Sequence, residues 1–161
     1  MKTIITTLII TCISFLSFAQ KKCSIIATYP VYRIWQPGTV PIDENGNQTK
    51  PTLKIERSIY ITSKCASTPT FSNIFYDKLA VRFSVTKINK EEATSQIDFE
   101  GNKIKFVQPK GSTIWKIDIL APAGKSIAEK PKTIKLLQIE NKKTTTIVVK
   151  KETELITIPT Y

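Results

Sequence analysis

Apolar and polar side chains alternate along most of this chain with the two-residue period of half-buried strands. In TLKIERSIYIT, residues 52 to 62, Leu53, Ile55, Ile59 and Ile61 share one face, and Lys54, Glu56, Ser58 and Thr62 share the other. Arg57 interrupts the apolar face, which predicts a strand that is partly edge-like. Leu79, Val81, Phe83 and Val85 alternate with Ala80, Arg82, Ser84 and Thr86. Trp115, Ile117 and Ile119 alternate with Lys116 and Asp118, and Ile134, Leu136, Ile147, Val149, Ile156 and Ile158 carry the pattern towards the C-terminus.

Turn signals separate these runs. Glu100-Gly101-Asn102, between Ile97/Phe99 and Ile104/Phe106, reads as a tight hairpin because Gly and Asn tolerate positive φ. Glu140 to Lys143 joins two longer strands in the same way. Pro109 to Gly111 and Ala121 to Gly124 read as loops, and Pro131 as a strand entry or edge. Only Lys90 to Gln96 looks helical, and it is short enough to be a turn. About eight short strands at regular spacing predict an all-β fold: a single β-sandwich of immunoglobulin-like or related Greek-key type. A small β-barrel is the alternative, since periodicity sets strand faces but not closure. The abundance of Ile, Thr and Val fits a pleated surface.

The first twenty residues, MKTIITTLIITCISFLSFAQ, follow another pattern. Lys2, an apolar run from Ile4 to Phe18, and Ser17-Phe18-Ala19 before Gln20 form the three parts of a secretory signal with a cut after Ala19. The run is shorter than the roughly 20 residues needed to cross a bilayer, and no second one follows, so the chain is not expected to span a membrane. Residues 1–19 are therefore expected to be a cleaved export signal and residues 20–161 a single all-β domain. Lipidation at Cys12 is disfavoured because Leu8-Ile9-Ile10-Thr11 lacks the small residue that precedes a lipobox cysteine. The Phe18-Ala19-Gln20 ending resembles the signals of exported proteins in Bacteroidota-type bacteria; export by the signal itself sets the expected location as periplasmic, outer-surface or extracellular.

Export changes the arithmetic of charge and thiols. The chain has 24 basic and 13 acidic residues, net +11; the signal removes Lys2 and no acid, leaving +10. It also removes Cys12, so Cys23 and Cys65 remain, and an oxidising compartment favours a disulfide between them. The lysines are spread over turns and polar strand positions, the pattern of a solvated face that also guards against edge-to-edge aggregation. A functional reading of the same charge is contact with an anionic envelope glycan or an acidic protein. Export and the lack of an Arg-rich or aromatic RNA-binding signature argue against nucleic acid.

The chain has no histidine. That excludes Ser-His-Asp and Cys-His catalysis and His-ligated zinc, and two cysteines are too few for a Cys₄ site. No Walker A, dinucleotide fingerprint or nucleophile elbow occurs, so no cofactor is expected and no catalytic residue is assigned. The pairs Asp98/Glu100 and Glu152/Glu154 would each share a strand face, but beside lysines such pairs are ordinarily solvated surface. Asp43, Asn45 and Asn47 begin like a calcium loop, yet Gln48 and Lys54 stand where Gly and a bidentate Glu are required. Asn45-Gly46 is better read as a turn, and no metal site is assigned.

One stretch, ATYPVYRIWQPG, concentrates aromatics and an arginine. Tyr32 and Ile34 would face opposite Val31, Arg33 and Trp35 on a regular strand, with Pro30 against that regularity. Packing is one reading, with Trp35 capping the core and its indole N–H meeting a loop carbonyl. The other exposes Tyr32, Arg33 and Trp35 as a platform for a sugar ring or partner protein. The sequence therefore predicts an exported, non-catalytic binding or assembly module of the cell envelope, contacting a protein or an anionic glycan. Alternatives are a histidine-free envelope hydrolase or transferase, and an accessory subunit that pairs by an edge strand, with Glu154 to Pro159 as the candidate edge.

Overall fold

The computed structural model describes residues 23–35, 42, 44–46, 54–65, 67–128, 130–149 and 151–156. The expected export signal, Gln36 to Gly38, Asp43, Asn47, Leu53, Ile158 and Pro159 lie outside them. Eight strands form: β1 (Ile25–Trp35), β2 (Lys54–Ser63), β3 (Thr70–Tyr76), β4 (Leu79–Ile88), β5 (Thr113–Leu120), β6 (Ile134–Glu140), β7 (Lys143–Val149) and β8 (Thr153–Leu155). One short helix, α1 (Lys90–Thr94), sits between β4 and β5. The helical turn is capped by Asn89, whose Oδ1 accepts from Glu92 N at 2.7 Å, and it is anchored by fully buried Ala93. A helix this short does not stand alone in water, so that packing holds it.

The all-β expectation holds, but the two separate sheets of a sandwich are replaced by one mixed eight-stranded sheet, ordered β7-β6-β3-β4-β5-β2-β1-β8 and curled into a half-barrel. All neighbours are antiparallel except β1 and β8. β4 turns the corner. Its first residues, Leu79–Val81, pair with β3, and Arg82–Ile88 pair with β5. The curl lets one apolar face close on itself: Ile59 and Ile61 of β2 and Ile117 of β5 pack in one cluster with Ile74 of β3 and Ile134 and Leu136 of β6. Each is at most 1% exposed, worth about 1.5–3 kcal/mol of burial per side chain.

The outer face carries a second, smaller cluster. Val31, Tyr60, Ile114 and Leu155 are covered there by Ala93 of α1 and by Ile104 and Phe106 from the segment that follows it. β2 and β5 are consequently buried on both faces at one end, which is why Tyr60 and Ile114 join the core although they fall outside the main alternation.

Polar contacts clasp the curl at both ends. Cys23 and Cys65 flank the paired ends of β1 and β2, with Ile25 opposite Ser63, and their sulfurs lie at disulfide distance with Cα atoms 4.2 Å apart. From β6, Glu140 Oε1 accepts from Cys23 N, and Gln138 Nε2 donates to Cys23 O at 3.2 Å. At the other end Arg57 of β2 pairs with Glu152, donates to Ala128 O at 2.9 Å, and lies 5.5 Å from the ring centre of Tyr76 at the end of β3.

Three expectations are corrected. β2 is not edge-like at Arg57: it lies between β5 and β1, and Arg57 is 4% exposed with a buried counter-ion. Pro30 does not interrupt β1, which runs eleven residues. β8 pairs only with Val31–Arg33, so on that side Pro30 has no ladder that needs its missing N–H. The chain's last described strand is not an open edge either. Phe99 N donates to Glu154 O at 3.0 Å and Ile156 N to Ile97 O at 3.1 Å, so the small hairpin around Gly101 covers β8. Among the described residues no helix is long and apolar enough to cross a membrane.

Candidate functional site

Register decides where the aromatic stretch points. Val31, Arg33 and Trp35 of β1 lie opposite Ser58, Glu56 and Lys54 of β2, whereas Tyr32 lies opposite Arg57. Opposed residues share a face, so Arg33 and Trp35 are on the outer face and Tyr32 is on the inner one. The structure brings Arg33 and Trp35 together and separates Tyr32 from them.

On the outer face the Arg33 guanidinium stands 5.8 Å from the Trp35 ring centre. It is steered by two hydrogen bonds, Nε to Ile156 O and a terminal nitrogen to Gln96 Oε1, each 3.2 Å. Trp35 Nε1 donates to Glu56 Oε2 at 2.7 Å, a carboxylate on the neighbouring strand rather than the expected loop carbonyl. Lys54 Nζ meets the other oxygen of Glu56 at 2.6 Å. The Lys54 hydrogen bond is the largest influence on Glu56 and lowers its pKa from 4.5; partial burial opposes it, and the Trp35 N–H adds to the lowering.

Beside this pair runs a groove of about 400 Å³ across β1, β2 and β5. Its polar floor is Arg33, Glu56, Ser58, Lys116 and Asp118, its apolar wall Val31, Tyr60 and Leu155, and Gln96 stands at its rim. Asp118 Oδ1 accepts from Ser58 Oγ and from Lys116 Nζ, both at 2.9 Å. Burial, foremost, pushes the Tyr60 hydroxyl up to about 12, so it stays a neutral phenol. The floor thus presents donors and acceptors already held in place by one another, an arrangement suited to recognising a polar ligand.

Tyr32 belongs to the inner clasp. Its hydroxyl donates to Glu154 Oε2 at 2.8 Å, and Arg57 lies 5.5 Å from its ring centre. The Arg57 and Glu152 side chains are 2% and 3% exposed, so Glu152 is not the solvated carboxylate its neighbours suggest. Its Oε1 has no hydrogen-bond partner among the described residues, and neither has the buried Tyr76 hydroxyl. A second cavity, about 600 Å³, opens over Tyr32, Glu152 and Glu154 towards Asp98, Phe99 and Lys151. Asp98 is engaged in its own turn, accepting from Glu100 N at 3.0 Å and Asn102 N at 2.7 Å.

Sequence reasoning missed the Arg57–Glu152 pair, whose members are 95 residues apart. The available signal was Arg57 itself, a lone cation in an apolar row, because a buried cation demands a partner. The calcium-loop residues Asp43 and Asn47 fall outside the described residues; Glu44 to Gly46 form a turn with Gly46 at φ +80°. Among the described residues no group of three or more His, Cys, Asp or Glu side chains is placed to hold a metal ion. Comparisons with protein-family models, with curated proteins and with solved structures found no match to this chain.

Proposed function

We propose that this protein is an exported, non-catalytic binding module of the bacterial cell envelope that recognises a protein or an anionic glycan through the outer face of β1, β2 and β5. The observation that carries the reading is the stacked Arg33–Trp35 pair beside a polar groove of about 400 Å³. Aromatic and arginine side chains are the usual energetic anchors of recognition surfaces, and Arg supplies a fixed donor fork for a carboxylate or sulfate. The groove is large enough for one or two sugar rings or a few peptide residues. Net charge +10 after export adds long-range attraction for an anionic ligand.

For the fold, our finer reading is Greek-key. β3, β4 and β5 are spatial neighbours in sequence order and β6 returns beside β3, which supports it. The test of function is binding of purified residues 20–161 to an envelope glycan and protein array, comparing wild type with Arg33→Ala and Trp35→Ala. Loss of the captured ligand in both variants, with thermal unfolding within a few degrees of wild type, is the expected result. Unchanged capture with both side chains removed sinks the proposal.

A further inference from the structure

Of the sheet's two margins only one is uncovered among the described residues. β8 is flanked by β1 and by the Ile97–Phe99 segment, whereas β7 pairs on one side only, with β6. The hairpin joining β6 to β7 turns at Asn141 and Lys142, with φ +47° and +63°, so its two-residue loop places Glu140 opposite Lys143. In such a hairpin the closing pair exchanges both backbone bonds and alternate pairs follow suit. Lys143, Thr145, Ile147 and Val149 are thereby bonded to β6, and Thr144, Thr146 and Val148 direct their N–H and C=O groups to the open side.

The side chains of β7 fit a strand that waits for a neighbour. Ile147 and Val149 pack only partly against the main core, and Val148 is 51% exposed on the opposite face. β-branched residues with no proline fill the edge from Thr144 to Val149. An added strand would cover Ile147 and Val149 on the inner face and Val148 on the outer one, extending the half-barrel by one strand.

Charge selects the occupant. Lys142 and Lys143 stand at one end of β7, Lys151 lies just beyond the other, and Lys135 of β6 is opposite Val148; all are exposed and none forms an ion pair among the described residues. Antiparallel pairing of two copies of β7 would set Lys142 and Lys143 of each against the end of the other where Lys151 lies. Among the described residues three cations would meet at each end, which disfavours a second copy. The same cations attract a strand that carries acids at its ends.

We propose that β7 is a strand-addition site for an extended segment of a partner protein, β-branched at its centre and acidic at both flanks. The inference is independent of the outer-face groove, which lies on other strands. The probe is the capped peptide Asp-Glu-Thr-Val-Thr-Val-Thr-Glu-Asp, compared with a version whose four acids are lysines, by fluorescence anisotropy at low salt and by residue-resolved amide exchange. The acidic peptide is expected to bind tighter by about tenfold or more, the summed effect of several exposed charge pairs. New amide protection is expected at Thr144, Thr146 and Val148. Lys142→Glu with Lys143→Glu should remove the preference, and Thr146→Pro, which deletes an outward N–H while sparing the β6 ladder, should abolish binding with the circular dichroism unchanged. Equal binding of both peptides, protection at other strands, or concentration-dependent self-association that protects β7 would each overturn the proposal.

Discussion

Glu152→Ala gives the sharpest test of how the curl is held shut. Arg57 and Glu152 are 2% and 3% exposed, so removing the carboxylate leaves a guanidinium in the interior without its counter-ion. Breaking a buried pair from one side costs about 3–5 kcal/mol. Here Arg57 keeps the Ala128 carbonyl at 2.9 Å and the faces of Tyr32 and Tyr76, each 5.5 Å away, which places the expected loss near the lower end. The companion experiment replaces both members, Arg57→Met with Glu152→Leu. Because desolvation of two ions roughly offsets their attraction, the double variant should return to within about 1–2 kcal/mol of wild type. Urea unfolding at pH 7, with a full double-mutant cycle, measures both quantities. A Glu152→Ala loss below about 1 kcal/mol, or a double variant as unstable as the summed single ones, would show that the pair does not clasp β2 to the chain ahead of β8.

Other expectations follow from the same contacts. Replacing Cys23 and Cys65 by Ser should cost about 4 kcal/mol in the chain-entropy model for a separation of 42 residues, read as a lower urea midpoint that matches the reduced wild type. Glu56 has a lowered folded pKa, so its contribution to stability is complete above 4.5 and is lost as pH falls through the folded value; the Trp35 indole resonance should titrate below 4.5, and Glu56→Gln should remove that titration. Tyr60 is the opposite case. Its raised pKa, about 12, means that the stabilisation of the neutral phenol is full below about 10 and fades as pH rises towards 12, so absorbance at 295 nm should show Tyr60 silent until alkaline unfolding, and Tyr60→Phe should move that unfolding to higher pH.

The strands were legible where one face is buried and the pairing is regular. β4 and β5 match the alternation of Leu79 to Val85 and Trp115 to Ile119. β3 carried no such signal. Its register shifts between Phe71 and Asn73, so the core residues Phe71, Ile74 and Tyr76 are spaced three and then two apart, and a period of two does not survive a bulge. Ile104 and Phe106 alternate as a strand would, but they lie as irregular chain over the outer cluster, and burial alone produces the same spacing. Curl was not legible, since alternation is local and the corner in β4 arises from which neighbours its two halves find.

The site was half legible for a related reason. Alternation placed Arg33 and Trp35 on one face and Tyr32 on the other, but no local rule states which face is filled by the rest of the chain. Two distant segments decide it: the clasp of Arg57 and Glu152 claims Tyr32, while Gln96 and Ile156 only steer Arg33 and leave its stacked partner beside the groove. Adjacent side chains on one strand therefore carry separable roles. Tyr32→Ala should lower stability by about 3 kcal/mol or more, the scale of deleting a packed aromatic, because Arg57 loses one of its two ring faces and Glu154 a donor. Arg33→Ala and Trp35→Ala should each cost less, about 1 kcal/mol of unfolding free energy, since these half-buried side chains border the open groove and their polar contacts are partly solvated. If all three variants unfold at the same lowered midpoint, the outer pair is part of the fold, and recognition by this strand has no residue left to carry it.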